Sequence, residues 1–179
     1  TAMNKLMLRG LFAAALTFGT LSLTACPAPY TLPTTAGAEL KEDFWQSYFP
    51  DFKQDMSWTY KMTVTTGAGT GEGEMTMKVT ALKDGVATVV TTGKVGETAI
   101  TESTTTMSKK GPSGASSGAK YEKTETITVP AGEFKDAVKT SYADSGATSY
   151  MWIAKGVGIV KITTGGDATT STELKSKSF

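Results

Sequence analysis

From Met56 to the C-terminus the chain alternates apolar and polar positions with a period of two. Trp58, Tyr60, Met62 and Val64 fall on one side, and Thr59, Lys61, Thr63 and Thr65 on the other. Such alternation is the mark of a strand with one buried and one wet face. The run Gly67 to Gly71 closes this strand and opens a turn. Met75, Met77, Val79 and Ala81 then alternate against Glu74, Thr76, Lys78 and Thr80. Lys83-Asp84-Gly85 predicts a tight hairpin, because Asp-Gly tolerates the positive φ angles of that turn. Val86 to Thr92 is a third strand, and a weaker fourth runs from Val95-Gly96 through Ile100 to Met107.

The pattern lapses at Ser108 to Ala119, a polar Gly/Ser-rich stretch that has no means of burying surface. It resumes over Tyr121 to Val129 and, after Pro130-Ala131-Gly132-Glu133, over Phe134 to Tyr142. In Ala147 to Ala154, Tyr150 and Trp152 face one way and Met151 and Ile153 the other. Apolar residues on both faces predict a strand covered on both sides. Gly156-Val157-Gly158 introduces a last pair, Ile159 to Thr164 and Ala168 to Lys175, joined by Gly165-Gly166-Asp167. The fold class is therefore all-β: a curved antiparallel meander of about eight or nine strands, half-barrel or barrel-like, preceded by an N-terminal signal helix. No segment beyond that leader carries a 3.6-residue period, so no long helix is expected to fill the concavity. The sheet has to bury its apolar face by curling or closing. The aromatic stretch Phe44 to Phe49 reads as one helical turn ended by Pro50. It is either a lid over one end of the core or an exposed patch for a partner.

The first 26 residues follow a different rule. Lys5 and Arg9 precede an uncharged, mostly apolar run from Gly10 to Leu23, and Leu23-Thr24-Ala25-Cys26 follows. This order resembles the signal and lipobox of bacterial lipoproteins. The resemblance implies cleavage before Cys26, fatty acylation of that cysteine, and an extracytoplasmic protein anchored to a bacterial membrane. A plain secretory signal and an uncleaved anchor are the competing readings, but the apolar run is short for a span, which needs roughly 20 residues. The expected organisation is a signal peptide (1–25), lipidated Cys26 with a flexible tether (26–42), and a β-domain (43–179). A Pro-rich tether extended at about 3.1 Å per residue would hold the domain roughly 40 Å from the bilayer.

Charge and composition narrow the chemistry. The chain's formal net charge is +1, and Lys5 and Arg9 are the leader's only charges, so the remainder carries −1. No clustered basic face offers itself to nucleic acid. There is one cysteine and no histidine. That removes internal disulfides, the commonest general base and the commonest transition-metal ligand. Glu72 and Glu74 share a strand face, a pattern that fits a hard-cation site less well than a solvated edge. Gly67 to Gly73 lacks the Lys-Ser/Thr ending of a phosphate loop. No cofactor or metal is expected, and no enzyme. A hydrolase would have to work without histidine, through a Ser-Lys pair.

Three motifs stand in order: Trp58-Thr59-Tyr60, then Val129-Pro130-Ala131-Gly132-Glu133-Phe134, then Trp152 to Lys161 (WIAKGVGIVK). Together they resemble a group of bacterial lipoproteins with a curved antiparallel sheet, similar in outline to the LolA/LolB half-barrel. The resemblance implies a cell-envelope β-domain and transfers no catalytic residue. The glycines read as turn positions, and Phe134, Trp152 and Val160 as core. The expected role is non-catalytic binding of an apolar ligand or a partner protein on the concave face. Trp58, Tyr60, Met62, Met75 and Met77 are the expected lining, since Met adapts to irregular apolar partners. The alternative is a structural or assembly subunit of an envelope complex.

Overall fold

Among the described residues the alternating runs fold into nine strands, preceded by one short helix. The computed structural model describes residues 30–110, 118–144, 147–166 and 168–179. The segment read as a signal peptide, Cys26 and the middle of the Gly/Ser-rich loop, 111–117, lie outside the described residues. The elements are α1 (Glu42–Tyr48), β1 (Ser57–Thr66), β2 (Gly69–Lys83), β3 (Val86–Val95), β4 (Thr98–Ser108), β5 (Lys120–Val129), β6 (Gly132–Asp144), β7 (Ala147–Ala154), β8 (Gly158–Thr164) and β9 (Thr169–Ser178).

All nine strands form one antiparallel, open, curved sheet in the order β4-β3-β2-β1-β9-β8-β7-β6-β5. It is built from two meanders, β1 to β4 and β5 to β9. They join where the first strand pairs with the last, from Ser57 opposite Ser178 to Thr65 opposite Thr169. The expected half-barrel and strand count hold. The Asp-Gly hairpin is also as read: Asp84 and Gly85 take φ of 51° and 76°, and Lys83 stands opposite Val86. The first turn is tighter than expected, because β2 already begins at Gly69 and pairs it with Thr66.

Curvature comes from bulges and from two glycines. Register shifts interrupt the ladders at Thr59/Tyr60, Val79/Ala81, Thr91/Gly93 and Trp152/Ile153, and twice in the β5–β6 pair. Each bulge bends its strand and increases its twist. In the β2–β3 pair the backbones approach so closely that a Cβ on Gly73 would lie 2.3 Å from the Lys94 carbonyl oxygen. A Cβ on Gly93 would lie 2.3 Å from that of Glu74. Only glycine fits such an approach.

The apolar residues collect in two clusters. One groups Met56, Trp58, Tyr60, Val79, Val89, Val160 and Leu174, with Met75 and Met77 packed on it. The other groups Phe44, Trp45, Tyr48 and Phe49 with Val138, Met151 and Ile153. On β7, Met151, Trp152, Ile153 and Ala154 are all buried, so this strand is covered on both faces as its composition requires. Phe134 packs against the first cluster, and Trp152 and Val160 belong to it.

The aromatic stretch is the lid, not the exposed patch: Phe44, Trp45, Tyr48 and Phe49 are all buried. Glu42 and Asp43 sit in the first turn of α1, where negative charge suits the helix dipole. The Gln46 amide donates to Glu42 at 2.7 Å, one turn back. Phe49 is extended, as a residue before proline prefers to be, and its N–H closes on the Trp45 carbonyl at 2.9 Å. The Tyr48 carbonyl accepts a bond from Gly156 N–H at 2.8 Å, which ties the helix to the β7–β8 turn. Residues 37–40 of the segment read as tether are docked. Gly37 and Leu40 donate to the carbonyls of Tyr121 and Ala119, and Tyr121 donates to that of Ala38. Tyr30 and Leu32 pack on the second cluster.

Two outcomes test this account. Leu174, fully buried beside the β1–β9 seam, should cost about 2–5 kcal/mol when changed to Ala, read as a lower urea midpoint. Gly93→Val should cost about 1–3 kcal/mol by overpacking, whereas the same change at the open turn residue Gly67 should shift the midpoint little.

Candidate functional site

The pleat of β1 and β2 delivers the expected stripe. Trp58 stands opposite Met77 and Tyr60 opposite Met75, so all four side chains share one face. Gly93, on β3, is opposite Met75 in turn, and the Ile100 side chain reaches the space above it. Both aromatic residues on β1 need partners for their polar tips once buried. The Trp58 indole N–H donates to the Val157 carbonyl, and the Tyr60 hydroxyl to the Ile159 carbonyl, each at 3.0 Å. These two bonds pin the β7–β8 turn and the first residues of β8 over the stripe. Burial pushes the Tyr60 phenol above its ordinary range.

Between the stripe and that turn lies a partly enclosed apolar recess of about 130 Å³. Trp58, Tyr60, Met75 and Met77 line it, joined by Phe49, Met107, Ile159 and Ile162. Met62 does not line it. It lies further along the same face, opposite Gly73 and Thr172, and is half-buried. Phe49 and Met107 carry an apolar signal in the sequence, but nothing local announces that α1 and β4 converge here. Val157 and Ile159 enter through the fold of a turn whose direction no pattern encodes.

The opposite face is polar and ordered. Reading across the ladder, Lys94, Glu74, Lys61, Glu173, Lys161, Trp152 and Lys139 stand opposite one another in turn on seven successive strands. Lys161 pairs with Glu173 at 2.7 Å, and the Lys139 ammonium sits 4.2 Å from the Tyr150 ring centre and 5.1 Å from that of Trp152. The Trp152 N–H donates to Glu125 at 2.8 Å. Lys123 first, and this N–H second, hold the Glu125 carboxyl below its usual range. Glu72 and Glu74 are each paired with a lysine, Lys61 and Lys175 respectively.

A second, larger groove of about 760 Å³ runs between the outer side of α1 and the β2–β3 turn. Tyr30, Asp43, Gln46, Gly85, Val86 and Lys110 are among its walls. Nearby, Lys109 bonds Asp51 at 2.7 Å and holds that carboxyl below its usual range. Among the described residues no three Asp, Glu, Cys or His side chains gather as metal ligands would. No described helix is long and apolar enough to cross a membrane.

No family model and no curated protein matches the sequence. Two solved structures are similar in fold. One is a Parabacteroides distasonis protein assigned as a lipoprotein, 14% identical, with a TM-score of 0.50 over 74% of this chain and 98% of that one. The other is a Bacteroides fragilis protein assigned as exported, with a YmcC-like fold. It is 12% identical, with a TM-score of 0.49 over 74% of this chain and 99% of that one. The first likeness is one of fold alone, and the fold is the curved, open antiparallel sheet described above.

The Tyr60 environment sets a pH response. Its phenol is harder to ionise folded than unfolded, so its contribution to stability is complete below about pH 10 and is lost as pH rises above that. Tyr60→Phe should flatten this alkaline decline, and absorbance at 295 nm should show one tyrosine fewer titrating late.

Proposed function

We propose that the protein is an exported, lipid-anchored component of the bacterial cell envelope that binds, without catalysis, the end of an apolar chain in the recess beneath the β7–β8 turn. The observation that carries this is an apolar recess walled by flexible methionine and rigid aromatic side chains in a chain without histidine. The lipobox-like segment before Cys26 and the fold shared with a protein assigned as a lipoprotein support the location. Size limits the ligand. At about 130 Å³ the recess resembles apolar cavities of about 150 Å³ that take a benzene-sized group. It is below the roughly 300–1,000 Å³ of sites that enclose a drug-sized molecule. An acyl-chain terminus or one apolar side chain of a partner fits, whereas a whole lipid does not.

The reading as an assembly subunit draws on a different feature. The outer edge of β4 has no strand beside it among the described residues, and such an edge can accept a strand from another protein. The aromatic segment does not serve that role, since Trp45 and Phe49 are buried.

Titration of the soluble domain with dodecanoate separates these readings. A saturable change in tryptophan fluorescence is expected, absent in Trp58→Phe and weakened at least tenfold in Met77→Trp, which fills the recess. No saturable signal in the wild type, or unchanged affinity in Met77→Trp with native circular dichroism, would refute apolar binding at this place.

A further inference from the structure

The docked segment before α1 fixes how far the domain can stand from its anchor. Tyr30 is held in place: its ring packs edge-on against Phe44 at 5.7 Å, and residues 37–40 are hydrogen-bonded along β5. Only four residue steps separate it from Cys26. At no more than about 3.6 Å per step, those steps reach roughly 14 Å, whatever their conformation. The expected 40 Å stand-off is therefore out of reach. Whichever part of the domain surrounds Tyr30 must lie close to the lipid.

What surrounds it is the groove shared by Tyr30 with the β2–β3 turn and the end of β4. Three large apolar side chains are strongly exposed among the described residues: Leu82 at 40%, Val86 at 39% and Phe179 at 45%. Phe179 packs edge-on against Trp58, with ring centres 5.2 Å apart. The other two flank the Asp84-Gly85 turn on opposite faces of the hairpin, Leu82 opposite Ala87 and Val86 opposite Lys83, and Val86 lines the groove. Exposed apolar residues scattered singly need no explanation; here one stands on each face of a single hairpin tip beside the anchor point, so the tip presents apolar surface to whichever side the bilayer lies. Charge does not select it. Lys83, Lys109 and Lys110 are offset there by Asp43, Asp51 and Asp84, so attraction to anionic headgroups is weak.

We propose that the β2–β3 turn, through Leu82 and Val86, rests in the interfacial layer of the bilayer next to the acylated Cys26. The domain then lies against the membrane and does not swing on a tether. The two apolar contacts add to the acyl chains as a second, weaker membrane signal that sets orientation more than affinity. This rests on the anchoring at Cys26 proposed above.

The test uses the processed, acylated protein in phosphatidylcholine vesicles with nitroxide-labelled acyl chains. Leu82→Cys and Val86→Cys, carrying an environment-sensitive nitrobenzoxadiazole label, are compared with Ala68→Cys. Ala68 adjoins the other end of β2, whose 15 residues span up to about 46 Å at roughly 3.3 Å per residue. The expected result is a blue-shifted label quenched several-fold more at 82 and 86 than at 68, little changed by salt. Equal quenching at all three sites in protein that floats with the vesicles would overturn the docking and spare the anchor. Protein that does not float with the vesicles would overturn both.

Discussion

The fold hangs on one seam. β1 and β9 run antiparallel through the middle of the sheet, and among the described residues theirs is the one strand pairing between the meander of β1 to β4 and that of β5 to β9. Every other strand pairing is between neighbours in sequence and can form locally. The seam brings together residues more than a hundred positions apart, so it carries most of the loop-closure entropy of the fold. The two indole and phenol hydrogen bonds reinforce it, because Trp58 and Tyr60 project from β1 yet grip carbonyls of the β7–β8 turn and of the start of β8. Pairing across the seam thereby creates the recess: its floor belongs to one meander and its roof to the other.

Curvature gives the two faces separate chemistries. The bulges and the Gly73/Gly93 approach let the sheet wrap its own apolar face, and α1 fills the half that the strands do not cover. A seven-residue helix suffices because three of its residues are aromatic and buried. The outer face is stabilised by opposite charges and by ammonium groups over aromatic rings, which bury Trp152 between Lys139 and Lys161. Such contacts contribute only tenths of a kcal/mol up to about 1 kcal/mol each.

Strands and turns were legible in the sequence because they are local: alternation identified β7 to the residue, and Asp84-Gly85 announced its hairpin. Strand order was not legible, since the same nine strands could have closed β4 onto β5 to complete a barrel. No pattern within either strand decides between the open and the closed arrangement. The stripe of Trp58, Tyr60, Met75 and Met77 was found because cross-strand neighbours repeat the pleat. Met62 was read into it by the same alternation, which gives the face of a residue but not its distance from the recess. The helix was read as a single turn from its aromatic run and Pro50, and its second turn was missed because seven residues are too few to set a period. Residues 37–40 look like linker by composition, and they dock through backbone bonds that composition does not report.

The row of charged residues across the outer face also acts as a code for alignment. Lys61 meets Glu74 on one side and Glu173 on the other. If β9 slid by two residues against β1, Lys61 would meet Ser171 in one direction and Lys175 in the other, losing attraction or gaining repulsion. A slide by one would turn Leu174 and Thr172 outward and bring Glu173 inward. The row thus discriminates against the misalignments that a threonine-rich, repetitive sheet would otherwise tolerate, and its value lies in the mispaired states it excludes more than in the native energy it adds.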